Sequence, residues 1–476
     1  MEFLATVQGP QNLKFGGGVS ETFLHPAVLV AVLIAGAMIL FWPRSKAVSA
    51  FLVAGLLIPQ DQVLLLGPLH FPMLRVLCLF GFARILKDKF SSNIRMFSGG
   101  VNKIDIVVIL LTALTALNGI LLFQESGAVV YQLGSMFTIF GVYFLLRMMI
   151  RNDDDIVKAI MTLAGITCFV ALIMSFERVT GHNPYAMLDG AAAARYATLS
   201  VREGKVRAQG PFAHSILAGT FGAILVPLFI ALWWKGKKYH KATIVGVVAA
   251  AVMTVACNSS TPVLAYAAGV GALCMWPIRR WMRAIRWSIV ITLVSLHIVM
   301  KAPVWSLIGR IDISGGSSGW HRYQLVDQCI RHFSDWWLVG VKDTSVWGWD
   351  MWDTANQYVG TADNSGIIPF ILLIALLVYG FKYVGRSWRA QGKDKNRAIF
   401  IWAIGSALFA NAVAFFGISY FDQTMIAWYA LLAMISAVFA VRPKKELIPA
   451  KVVTAVDAPG LVTQPAERSF SSSLIS

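Results

Sequence analysis

Thirteen runs of mostly apolar residues limit what this chain can become, because each approaches the length needed to cross a bilayer. A spanning helix needs about 20 such residues. The runs fall at 26–42, 47–66, 69–86, 104–123, 128–149, 156–176, 213–234, 242–257, 261–277, 287–304, 366–384, 397–416 and 423–441. Two are interrupted, one by Asp61 and the other by Arg75. Only 14% of the residues are charged and 57% are hydrophobic, where soluble domains carry roughly 25% charged residues. Lipid therefore replaces water around most of the chain. The expected fold class is all-α: a polytopic transmembrane bundle of about 12–13 helices. Its expected parts are an N-terminal extension (1–25), a membrane domain (26–442) and a disordered tail on the cytoplasmic side (443–476). That tail mixes Pro, Ser and Val without periodicity.

The net charge of +17 would point to nucleic acid in a soluble protein; in a membrane chain it reads as basic loops facing anionic headgroups. If the helices alternate, Arg44/Lys46 and the stretches 84–103, 147–158, 235–241, 279–286, 382–397 and 442–445 fall on one side. Together they hold well over half of the 41 Lys and Arg. The short loops around 60–62, 124–126, 258–260 and 419–423 hold none. The basic side is therefore expected in the cytoplasm and the N-terminus outside. No basic stretch followed by a small-residue cleavage site opens the chain, so no cleaved signal peptide is expected. The five Cys include no CxxC pair and imply neither a disulfide framework nor a zinc site.

This alternation leaves two long loops outside, 178–211 and 303–365, rich in residues that membrane helices avoid. The first ends in Arg202, Lys205 and Arg207 just before Gly210-Pro211 and the apolar run that follows. Cations at the mouth of a bilayer helix suit an anionic, membrane-held substrate, although any polar loop carries some charge. In the second loop, Trp320, Tyr323, Val326, Ile330, Phe333 and Trp337 recur at steps of three and four. The spacing predicts a surface-lying amphipathic helix over 319–336, with Gln324, Gln328, Arg331 and Asp335 towards water and Arg322 at the edge of the apolar stripe. Arg75 reads as a snorkelling side chain or a site residue, and Arg84 and Arg147 as anchors at cytoplasmic helix ends. His297 reads as a packed or backbone-bonded histidine, and the Trp residues at 336, 337, 347, 349 and 352 as interfacial seating.

Four elements in order carry a resemblance. The first is Arg207-Ala-Gln-Gly210-Pro-Phe212-Ala-His214 opening an apolar run; the second is the turn Asn258-Ser259-Ser260-Thr261-Pro262. The third is Arg322 followed by Trp337-Leu338-Val339-Gly340-Val341, and the fourth is Ala355-Asn356-Gln357-Tyr358 with Gly366 ten residues after Asn356. Over roughly 26–440 the chain resembles the O-antigen ligase and lipid-linked oligosaccharide polymerase family of bacterial envelope enzymes. It departs from that family at Ala355, where a His is frequent, and at Thr261, where an Arg is frequent.

The resemblance implies a glycosyltransferase of the bacterial inner membrane, working towards the periplasm without a metal or other cofactor in O-antigen or exopolysaccharide assembly. The implied partners are a glycan on a polyprenyl (undecaprenyl) diphosphate, a glycan or lipid acceptor, and membrane lipids, with no nucleic acid. Arg207 and Arg322 would hold the diphosphate, since the guanidinium fork binds phosphate bidentately and stays charged. Asp353 is the first choice for the base, with Asp363 and His214 as alternatives. Arg202, Lys205, His214, His321, Asn356 and Asp363 are the implied substrate contacts, although Asn356 equally suits a helix-opening structural role. A transporter of lipid-linked glycans is the rival reading. Against it stand the lack of an internal repeat and of matched broken helices.

Overall fold

All thirteen apolar runs contain helix in the computed structural model, which describes residues 22–67, 69–91, 96–188, 200–310 and 319–441. The first six helices are α1 (Pro26–Phe41), α2 (Arg44–Leu57), α3 (Met73–Ser91), α4 (Lys103–Phe123), α5 (Ser126–Met149) and α6 (Asp153–Thr180). After the first long loop come α7 (Ser215–Ala231), α8 (His240–Ala256), α9 (Ser260–Cys274) and α10 (Met282–Val299). The second loop contains α11 (Gly319–Arg331), α12 (Phe333–Trp336) and α13 (Gln357–Ser365), and the chain returns through α14 (Ile367–Arg389), α15 (Lys395–Ala414) and α16 (Thr424–Ala440). The expected extension 1–25 lies outside the described residues up to position 21, as does the expected tail 443–476.

Eight of these helices are long and apolar enough to cross a membrane, three more are apolar but shorter (α1, α9 and α16), and the chain is read as a membrane protein. The expected count of 12–13 is too high by that measure. The run 47–66 supplies helix only to Leu57. Pro59 cannot continue a helix, having no N–H and disfavouring helical geometry in the residue before it. The chain turns there instead and pairs Val63–Leu66 (β1) antiparallel with Leu69–Pro72 (β2) before helix resumes at Met73. α3 then carries Arg75, Arg84, Lys87, Asp88 and Lys89 in its 19 residues.

The most enclosed helix is α7, with 89% of its apolar window buried. α8, α9 and α15 pack around it. Lipid chains are as apolar as Leu, so helix pairing here depends on close packing rather than water exclusion. Gly219 shows how: a Cβ there would stand 2.3 Å from Cys257 Sγ and 2.9 Å from Pro262, so only glycine lets α7 and α9 approach this closely. At the opposite extreme, α10 buries none of its residues.

The basic segments meet at one end of the bundle. Arg44 pairs with Asp155 at 2.8 Å, while Lys235 and Arg397 both pair with Asp153 at 2.9 Å. Arg84 donates to the carbonyls of Ile39 and Trp42. Arg147, read from sequence as an interfacial anchor, is fully buried instead. It pairs with Asp105 at 3.2 Å and donates to Ser98 and Gly100 carbonyls, because the 96–102 turn folds over it. α6 begins at these pairs, and at its other end Glu177 and Arg178 hold residues 206–210 of the first loop.

Candidate anion-binding site

The site begins with the turn that carries Arg207 into α7. Val201–Arg202 (β3) pairs with Lys205–Val206 (β4) across Glu203 and Gly204, both left-handed (φ 51° and 71°), the pattern of a tight hairpin turn. Arg178 ties this hairpin to the end of α8, donating to the Val206, Val255 and Ala256 carbonyls at 3.1–3.3 Å. Ala208 N–H reaches the Ala256 carbonyl at 3.1 Å. The buried Glu177 carboxylate accepts the N–H groups of Gln209 (3.0 Å) and Gly210 (2.8 Å), and Asn183 donates to the Gly210 carbonyl at 2.9 Å. On the far side Asp422 accepts from Ala213 N–H and Gln423 donates to the Pro211 carbonyl. His214 is the N-cap of α7, its Nδ1 accepting from Ile216 N–H at 3.1 Å. Glu177, Asn183, Asp422 and Gln423 escaped the sequence reading. Their only signal was a polar residue at the boundary of an apolar run.

Three arginines share this end of the molecule. Arg207 donates through Nε to the Cys257 carbonyl at 3.4 Å, and its Nη2 is buried without an acceptor. Arg322, in α11, is only 7% exposed, and its Nε is likewise buried without an acceptor. Burial, then the like charge of Arg202, lowers the pKa of Arg207. The same two causes bring Arg322 down to about 10, against the opposing pull of Asp353. Arg202 is therefore within electrostatic reach of both, although Arg207 and Arg322 come from different loops. Among the described residues none of the three forms an ion pair within 4 Å. A buried cation without an ion pair is unfavourable, so the buried Arg322, with the half-buried Arg202 adding like charge, favours an anion. Lys205 is exposed on the hairpin.

Arg322 is not at the edge of an outward apolar stripe, as the spacing predicted. The inward face of α11 carries Gly319, Arg322, Leu325 and Cys329, while the predicted stripe residues Trp320 (62%), Ile330 (49%) and Phe333 (48%) are exposed. Helical period alone cannot tell which apolar side packs on protein, and here α13 takes the Leu325–Cys329 side. The predicted single helix also breaks at His332. The Trp residues divide in the same way: Trp336 and Trp347 are buried in a small core with Leu325, Cys329, Met351, Val359 and Ala362, while Trp337, Trp349 and Trp352 are exposed.

Asp353 lies within electrostatic reach of Arg322. Partial burial raises its carboxyl pKa, and Asp350 adds to this against His321 and Arg322. His321 Nε2 lies 3.0 Å from the Asp353 carbonyl, and its Nδ1 lies 3.8 Å from Asp350. Asn356 is buried and committed to structure: it caps α13 by accepting from Tyr358 (3.0 Å) and Val359 (3.2 Å) and donates to the Phe416 carbonyl. Asp363 lies elsewhere, enclosed beside the Cys329 thiol with no N–H donor on either carboxyl oxygen, and burial pushes it to about 7. Cys329 and Arg322 lie two helical turns apart on α11, about 10 Å along its axis. His297 is backbone-bonded, accepting from Val304 N–H at 3.3 Å. Arg75 is held by Thr138 Oγ1 (3.0 Å) and the His70 carbonyl (2.5 Å). All five Cys are free, and among the described residues no group of three His, Cys, Asp or Glu converges as a metal site. No family model matches this sequence, and no curated protein matches it.

Proposed function

We propose that the protein is a membrane glycosyltransferase that moves a glycan from a polyprenyl diphosphate carrier to an acceptor hydroxyl at the periplasmic face of a bacterial inner membrane. The observation that carries this reading is the Arg202, Arg207 and Arg322 cluster, built from two loops and, among the described residues, without an ion pair within 4 Å. In the reaction the acceptor oxygen attacks the anomeric carbon, and the bond from that carbon to the diphosphate oxygen breaks. The electron pair leaves on the diphosphate, where fixed guanidinium groups stabilise it. The acceptor's proton passes to Asp353, whose raised pKa brings it nearer the operating pH of a useful base. His214 and Asn356 act through the fold, as caps of the helices that follow the two loops, and Asp363 lies beside Cys329 rather than with the arginines. The resemblance in motif order and this cluster support the same chemistry.

The direct test incubates purified protein in nanodiscs with an undecaprenyl-diphosphate glycan and candidate acceptors. Wild type should yield a longer or transferred glycan and release undecaprenyl diphosphate, and Arg207→Ala should do neither. In cells Arg207→Ala should leave protein levels near normal and lipid-linked glycan accumulating outside. Accumulation on the cytoplasmic side would identify a transporter instead.

A further inference from the structure

Arg207 is anchored on a turn whose serine hydroxyl is unsatisfied. Residues 257–259 join α8 to α9, with Asn258 left-handed at φ 47°. The turn bridges both cation-bearing strands: the Cys257 carbonyl accepts from Arg207 Nε at 3.4 Å, and Asn258 Nδ2 donates to the Arg202 carbonyl at 3.2 Å. Ser259 is the N-cap of the 15-residue α9, with the extended backbone that a cap requires (φ −145°, ψ 143°). A cap serine ordinarily accepts from the second or third N–H of its helix. Ser259 does not: its hydroxyl is buried, 2% exposed as a residue, and makes no hydrogen bond. Pro262, two residues into α9, has no N–H to offer. The first turn of α9 is therefore not satisfied by its own cap residue, and it carries the positive end of the helix dipole. The hydroxyl and the helix N-terminus share this turn, and Arg207, whose Nη2 is unsatisfied, is bonded to it through Nε.

We propose that this turn is a phosphoryl subsite, in which Ser259 and the N-terminus of α9 hold one phosphoryl group of a diphosphate while Arg207 bridges to the other. The inference rests on the diphosphate reading given above and assigns a donor, Ser259, that the resemblance does not supply. A hydroxyl donating to an ionised phosphate oxygen makes a charge-assisted bond, stronger than its neutral counterpart. It is also aimed at a group that helix N-termini bind without further help.

The test measures binding of inorganic pyrophosphate, farnesyl diphosphate and phosphatidylglycerol to the full chain in neutral nanodiscs, for wild type, Ser259→Ala and Ser259→Thr. Thermal unfolding of each variant reports its folding. The expected result is that Ser259→Ala weakens both diphosphates by about ten-fold or more, the scale of a hydrogen bond to a charged group, while Ser259→Thr keeps most of the affinity. Unchanged diphosphate binding in Ser259→Ala overturns the subsite and leaves the arginine site standing. Absence of diphosphate binding to wild type overturns the subsite and the diphosphate reading together. Equal binding of phosphatidylglycerol, equally weakened by Ser259→Ala, overturns the diphosphate assignment in favour of a phospholipid headgroup. If Ser259→Ala fails to fold, Ser259→Thr decides alone: a ten-fold loss with a restored hydroxyl sinks the proposal, and retained affinity supports it.

Discussion

Arg207 and Arg322 are alike in chemistry but differ in how they are held, which sets what each substitution should do. Arg207 spends its Nε on a carbonyl and keeps Nη2 unsatisfied, whereas Arg322 is the more deeply buried and lies closer to the carboxylate of Asp353. Arg207→Lys retains charge and loses the planar fork, so product formation should fall by about 10²-fold or more if bidentate geometry carries the function. A loss under five-fold, with normal protein levels, would show that general attraction suffices. Asp353→Asn removes only a charge, and turnover should fall about 10²–10⁴-fold if Asp353 is the base. A loss under ten-fold would remove that role from Asp353. Asp363 invites a different measurement. Its pKa is raised in the folded protein, so the folded state holds the proton more tightly than the unfolded chain. Its stabilising contribution is present below the unfolded carboxyl value of about 4 and is lost as pH rises through about 7. Thermal stability of wild type should therefore decline across that window more steeply than that of Asp363→Asn. Parallel pH profiles would contradict the burial argument.

At the scale of elements, the site is a meeting of helix ends and turns, and its weakest points are backbone contacts. Gly340 has φ 100°, and a Cβ there would stand 2.6 Å from the Asp363 carbonyl oxygen. The adjacent Val341 N–H donates to that same oxygen at 2.7 Å, and Ile367 N–H donates to the Trp337 carbonyl at 2.9 Å. Gly340→Ala should separate the Gly-Val step from the end of α13 and destabilise the loop by about 1–3 kcal/mol through backbone strain. Faster proteolysis within 319–365, while the bundle stays intact, is the expected readout. In the sequence this Gly-Val step looked like a family signature near a functional Arg. In the structure it is the lock that seats α13 against the segment following α11 and α12. Glu177 plays the matching part in the first loop, because two N–H groups of the 209–210 turn depend on its carboxylate.

At the scale of the whole molecule, the segregation of charge is the feature with the widest consequence. Cation-rich segments are tied together at one end by Asp153 and Asp155, and the arginine cluster forms at the other. Reporter fusions should place Lys238 and Gln391 in the cytoplasm and Gly204 and Trp349 outside. Finding Gly204 in the cytoplasm would reverse the orientation and remove the periplasmic reading of the site. The sequence alone determined that the chain is helical and lipid-solvated, and roughly where each helix lies, because apolar length and scarce charge are local properties that no partner needs to complete. It also singled out Arg207 and Arg322, because a charge beside an apolar run is conspicuous by itself. Tertiary structure alone decided that Arg322 faces inward and that Asn356 and His214 are caps. Only there does Asp363 lie beside Cys329, and Arg207 bond to the turn that carries Ser259. Each of these depends on which face of a helix another segment covers, and on which donor meets which acceptor across long sequence separations. Period and composition are silent on both, since a helical repeat specifies a face but not its neighbour.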